Sequence, residues 1–236
     1  MRQASQLSFD DYRMTTGRGG PRPGAGRPAA ARPIVHHVKR PDFPEEGPAH
    51  VTLRVLEDVP SLRSIRFLRT FRRSLRQVRI RDDFRVVQYS VQRDHLHMIV
   101  EAAGKDALGR GMKAVASRLA RAANRVFGRS GRVLAGRYHV RALRSPREVR
   151  NAIAYVLLNV RKHWRQRWGQ APPVKIDAAS SGRWFEGWRV DVPGDDESPG
   201  LREVAKARSW LLSTGWRKCG LIDPAEVPGT RKRSAA

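Results

Sequence analysis

The alternation of apolar and polar positions divides the chain into short elements. In "HVTLRVL" (50–56), Val51, Leu53 and Val55 alternate with Thr52 and Arg54, the two-residue period of a half-buried strand. After Pro60, Ser61 can cap a helix running to about Val78, because Phe67, Leu68, Phe71, Leu75 and Val78 fall within roughly 100° of arc. "FRVVQYSVQRDHLHMIVEA" (84–102) reads as two strands folded on each other through a tight turn at "QRD", with Tyr89 pointing alongside Val87 and Val91 into the core. A helix follows over about 109–127, and "RVLAGRYHVRALRS" (132–145) has strand character. The next helix, 145–164, is the most clearly marked: Ser145 suits the N-cap, Pro146 the first turn, and Glu148 completes an S-x-x-E box.

The order β-α-β-β-α-β-α predicts an α+β fold. It is a ferredoxin-like (split βαβ) antiparallel sheet with helices on one face and an added C-terminal helix. Residues 1–48, with "GRGGPRPGAGRPAAARP", read as a disordered basic arm rich in Gly, Pro and Arg. Residues 49–165 hold the folded domain, and 166–236 a basic, Trp-containing extension of unclear fold with a short helix at "LREVAKARSWLLSTG".

Charge narrows the partner. The 236 residues carry a formal net charge of +25, and most of the basic residues are arginine, whose planar fork suits phosphate and stacks on bases. The first helix bears Arg63, Arg66, Arg69, Arg72, Arg73, Arg76 and Arg79 around its apolar stripe without one acid. All but Arg79, together with Arg137 and Arg141, are the candidate DNA-phosphate contacts. A single cysteine, Cys219, excludes a disulfide framework and a Cys-based zinc module. No apolar run approaches membrane-spanning length and the N-terminus lacks a signal-peptide core, so a cytoplasmic, nucleoid-associated protein is expected, with no membrane partner and no small-molecule cofactor.

The chemistry starts from "RDHLHMIV" (93–100). Leu96, Met98 and Val100 share one strand face, His95, His97 and Ile99 the other. Two imidazoles at i, i+2 bring their ring nitrogens toward one point, which makes them a candidate metal pair. On the last helix Asn151, Tyr155, Asn159 and His163 recur at i+4 beside an apolar stripe of Val149, Ile153, Val156, Val160 and Trp164. That polar stripe either faces water or lies over the histidines; spacing leaves both open.

These residues carry a resemblance. "HLH" is similar to the His-hydrophobe-His motif of the HUH endonucleases, and "AYVLLN" to the Tyr-x-x-x-Asn helix of single-tyrosine transposases. The chain most resembles the REP-associated tyrosine transposases, to which "HVTLRV" and "GRYHVRAL" are also similar, over roughly residues 48–165. It departs from them in reading Val160 where an Asn-Pro pair is common, and Leu157 within the motif. The resemblance implies a metal-dependent, single-stranded DNA endonuclease and strand transferase that cleaves beside hairpins. Tyr155 would be the nucleophile forming a 5′-phosphotyrosine, and His95, His97 and Asn159 the ligands of a divalent metal, Mg²⁺ or Mn²⁺. The partner would be single-stranded or hairpin DNA, and the protein a monomer or homodimer. The alternative class is a non-catalytic nucleic-acid-binding protein of RNA-recognition type, which calls for exposed aromatics on the central strands where this chain has histidines.

Overall fold

The computed structural model describes residues 46–78, 81–192 and 201–229. The arm expected at 1–48 lies, but for its last residues, outside them, as does Arg79. In chain order the elements are β1 (Gly47–Arg54), α1 (Ile65–Arg76), β2 (Phe84–Val91), β3 (His95–Ala102), α2 (Gly104–Phe127), β4 (His139–Ala142), α3 (Pro146–Leu157), α4 (Asn159–Trp168) and the single-turn α5 (Trp210–Ser213). The strands form one antiparallel sheet in the order β2-β3-β1-β4, the ferredoxin-like arrangement. Among the described residues no helix is long and apolar enough to cross a membrane.

Two apolar cores lie on opposite faces of the sheet. The larger joins Val51, Leu53, Leu96 and Met98 of the strands to Phe67 and Phe71 of α1 and to Met112 and Leu119 of α2. Gly111 lets α2 approach β2, since a Cβ there would fall 2.1–2.5 Å from ring atoms of Phe84. The smaller core joins Val87 and Ile99 to Val149, Ile153 and Val156 of α3, and to Leu212 and Trp216. The helix that carries Tyr155 therefore lies across the second face of the sheet.

Local signals explain where elements begin and end differently from expectation. Helix α1 starts at Ser64, whose hydroxyl accepts from the Phe67 N–H at 3.3 Å, while Ser61 takes the Arg63 N–H in the preceding turn. A bulge between Val86 and Gln88 turns Val87 onto the second face, away from Tyr89, which stays in the first core. The strand expected over 132–145 is regular only at His139–Ala142, and α2 begins at Gly104 rather than 109. The helix expected over 145–164 is two helices. Ser145 caps the first as expected, accepting from the Glu148 N–H at 3.3 Å, but Leu158 leaves helical geometry at φ −106°, ψ 16°. Its carbonyl then accepts from the N–H groups of Arg161 (3.0 Å) and Lys162 (3.3 Å), which starts α4 anew.

Residues beyond 166 build onto the sheet. Ser180 bridges to Ser90, and the Ala205 N–H donates to the carbonyl of Val86 at 2.9 Å. Glu203, Val204 and Ala205 are buried in succession, a pattern of extended chain, so the helix expected at 201–215 is confined to Trp210–Ser213. Buried Glu203 accepts from Tyr89 Oη (2.6 Å), Trp184 Nε1 (2.8 Å) and Arg183 (3.0 and 3.1 Å).

Candidate active site

β3 carries His95 and His97 on the second face of the sheet, opposite Arg54 and Thr52 of β1. His95 Nδ1 lies 2.7 Å from the carboxylate of Asp94. A carboxylate only accepts, so Nδ1 holds a proton, and in a neutral ring the lone pair is then left on Nε2. That atom is 3.1 Å from His97 Nε2. His97 Nδ1 in turn lies 3.0 Å from Thr52 Oγ1 and 3.2 Å from His50 Nε2. If Nδ1 of His97 donates to Thr52, two lone pairs face each other across 3.1 Å and need a proton or a cation between them. The separation is also that of two imidazole nitrogens sharing one ion at about 2.1 Å each, and a carboxylate behind one ring is the usual support of a metal-binding histidine.

Burial keeps the His50 and His97 rings neutral. Burial, then the charge of Arg141, pushes His50 down to about 4. Burial, then His50, His95, His163 and Lys162, pushes His97 down to about 3. Partial desolvation also lowers His163, although most of its ring meets solvent. Neutral imidazole is the form that ligates.

Tyr155, on the sheet-facing side of α3, meets this cluster. Its ring centroid is 5.2 Å from that of His97 and 5.7 Å from that of His50, both edge-on. Lys162 of α4 sets its Nζ 4.8 Å from the Tyr155 centroid. A cleft of about 1140 Å³ opens on Tyr155 and His50 and is bordered by Arg141, Arg147, Arg150 and Lys218. Of these, Arg150 is held bidentately by Glu226 at 2.5 and 2.6 Å, and Arg141 lies 2.9 Å from Glu148. The Glu148 carboxyl is held below the usual carboxylate range by the Arg144 N–H, then by Arg141.

Asn159 opens α4 and is fully buried, yet neither atom of its amide has a hydrogen-bond partner, the two histidines included. An orphaned, buried carbonyl oxygen is the kind of donor expected of a third metal ligand. Among the described residues no group of three or more His, Cys, Asp or Glu side chains is arranged to hold a metal ion. The i+4 stripe read from sequence does not survive as one face: Asn151 and His163 are exposed, Tyr155 is half-buried and Asn159 is enclosed, because the break at Leu158 re-aims everything after it.

The arginines divide. Arg63 binds Asp177 through two hydrogen bonds (2.9 and 2.6 Å) and the Val91 carbonyl; Arg72 binds Tyr89 Oη (3.1 Å) and the Ala178 carbonyl; Arg76 donates to the Leu201 carbonyl at 3.1 Å. Arg72 and Arg76 tether the C-terminal extension to α1, and Arg63 tethers it to the turn before that helix, an internal use that the arginine-rich face did not reveal. Arg66, Arg69 and Arg73 are exposed on the same helix, across the sheet from Tyr155, and Arg137 and Arg141 are exposed around β4.

His50, Thr52 and Lys162 were missed by sequence reasoning. The signal for the first two was present, since residues 50 and 52 alternate against the apolar Val51 and Leu53. What it lacked was the pairing of β1 with β3, which sets Thr52 opposite His97.

Solved structures similar to this chain include two transposases. One is a REP-associated tyrosine transposase bound to a REP hairpin, with a TM-score of 0.42 and 17% identity over 55% of this chain and 74% of that one. The other is a putative transposase from Deinococcus radiodurans R1, with a TM-score of 0.36 and 16% identity over 45% of this chain and 86% of that one. No protein-family model and no curated protein matches. Likeness at this level carries no conclusion about activity, which has to be argued from the site.

Proposed function

We propose that this protein is a transposase-like DNA endonuclease and strand transferase in which Tyr155 is the nucleophile. The observation that carries the reading is the packing of the Tyr155 ring, 5.2 Å away, against His97, whose Nε2 is 3.1 Å from that of His95. In the step proposed, the phenol oxygen attacks phosphorus, the Tyr155 O–P bond forms and the P–O3′ bond breaks. The phenol proton leaves to solvent and the departing 3′ oxygen takes one up. The resulting 5′-phosphotyrosine conserves the energy of the broken bond, so that a DNA 3′-OH can reverse the attack.

His95, His97 and Asn159 would hold a divalent cation, Mg²⁺ or Mn²⁺, which when bound neutralises and polarises a phosphate oxygen. The chain's own residues account for the rest. Asp94 orients His95, Thr52 and His50 orient His97, and the Lys162 ammonium adds positive charge beside the Tyr155 ring. Tyr155 is half-buried, so the phosphodiester must bend into the cleft. A single strand or the unpaired flank of a hairpin does this readily and a stiff duplex does not. Tyr155 meets histidines of its own chain, which favours a monomer as the competent unit. The alternative of an RNA-recognition platform is disfavoured by α3, which covers the sheet face that such domains keep open for stacking.

The test is cleavage of labelled hairpin and single-stranded DNA from around its own gene, with Mn²⁺, Mg²⁺ or chelator. His95→Ala and His97→Ala are expected to abolish cleavage while the thermal midpoint stays near that of the wild type. Undiminished cleavage by either variant, or by the wild type in chelator, would contradict the metal assignment.

A further inference from the structure

Helix α4, NVRKHWRQRW, is an anomaly of exposure. Trp164 ends the apolar stripe that runs along α3, but the break at Leu158 turns it out of the core: it is 46% exposed, and Trp168 one turn on is 58% exposed. Their rings lie side by side, centroids 6.3 Å apart and tilted by 46°. Beside them stand Arg165 and Arg167 with no acid anywhere in the helix, and the guanidinium of Arg167 lies 5.1 Å from the Trp168 ring. Apolar area of this size costs stability in water when nothing covers it.

We infer that Trp164 and Trp168 form a stacking platform for unpaired bases of a single nucleic-acid strand that runs to or from the tyrosine. Charge decides the class of occupant, since a face of two indoles framed only by cations repels basic partners and attracts a polyanion with π-faces. Position decides its use. Lys162, on the same helix, lies over the Tyr155 ring, and Trp168 is six residues further on, about 9 Å along the axis and roughly 120° around it. A strand that joins Tyr155 to the indoles therefore passes part-way around α4. Ring geometry restricts the mode: a base held between two rings needs them parallel and about 7 Å apart, twice the carbon–carbon contact distance. These are closer and tilted, so bases stack on the outer faces, with Arg167 able to cover a base from its other side. The inference rests on the nucleic-acid reading above, but on no step of the tyrosine chemistry.

The test is binding of fluorescent oligonucleotides by the full chain: one sequence as single-stranded DNA, as RNA and as duplex DNA, without divalent metal. Replacing both indoles (Trp164→Ala with Trp168→Ala) is expected to weaken single-strand binding by about 5- to 150-fold per stacked base. The slope of log K against log salt should stay unchanged, because no phosphate contact is lost. Duplex binding should not change, and Trp164→Phe with Trp168→Phe should restore most of the affinity, which separates stacking from misfolding. The DNA and RNA arms identify which strand the platform takes. Equal single-strand affinity of wild type and double alanine variant overturns the platform while the nucleic-acid reading stands. So does a change confined to self-association, which would make this face a contact between copies. No binding of any single strand by the wild type removes both.

Discussion

At the scale of residues, the site is defined by neutral imidazoles and one stranded amide. The depressed His50 and His97 fix a pH dependence. In the unfolded chain both titrate near 6.5; in the fold they titrate near 4 and 3, so between these values the unfolded state binds more protons. Their contribution is therefore full above about pH 6.5 and is lost as pH falls through the window below it. In metal-free buffer the thermal midpoint is expected to fall steadily from pH 7 to 5, and His97→Asn or His50→Asn should flatten that slope. A midpoint constant over this range would contradict the assignment. Asn159 leads to a prediction of opposite sign for stability and activity. An unsatisfied buried amide costs about 1–3 kcal/mol, so Asn159→Leu, similar in volume, is expected to raise stability by about 1 kcal/mol while impairing DNA cleavage. A loss of stability in urea titration would mean that the amide has partners in solution.

At the scale of elements, local signals were the legible ones. Alternation at 50–56 and 95–100, the "QRD" turn and the Ser145 cap all follow from one-dimensional periodicity and capping chemistry, and the structure has them where the sequence puts them. The bulge at Val86/Gln88 and the break at Leu158 were not legible, because neither carries a proline or glycine and each depends on what packs against it. The same holds for Arg63, just before α1, and Arg72 within it. Their acid partners, Asp177 and Glu203, lie more than a hundred residues away along the chain, and no helical wheel shows them. Glu203 is the centre of that hidden network, fully desolvated beneath Tyr89, Arg183 and Trp184. Glu203→Ala leaves those donors buried and unpaired, which is expected to cost about 3–5 kcal/mol, read as a drop in the urea midpoint. A cost under 1 kcal/mol would mean that the C-terminal extension is only loosely attached to the sheet.

At the scale of the molecule, the sheet separates two functions. One face, covered by α1 and α2, is a conventional apolar core; the other, under α3, trades part of its core for histidines, threonine and a tyrosine beside a cleft. Exposed arginines stand on both sides of the sheet, Arg66, Arg69 and Arg73 on α1 and Arg137 and Arg141 around β4. The central claim is that a covalent bond forms at one atom, the Tyr155 hydroxyl oxygen. The most direct measurement is to incubate the protein with cognate hairpin DNA and Mn²⁺, denature, digest, and locate the nucleotide adduct by mass spectrometry. The account predicts a 5′-phosphonucleotide on the peptide containing Tyr155, absent in Tyr155→Phe although that variant still binds DNA. An adduct on Tyr138 or any other residue, or an undiminished adduct in Tyr155→Phe, would contradict it.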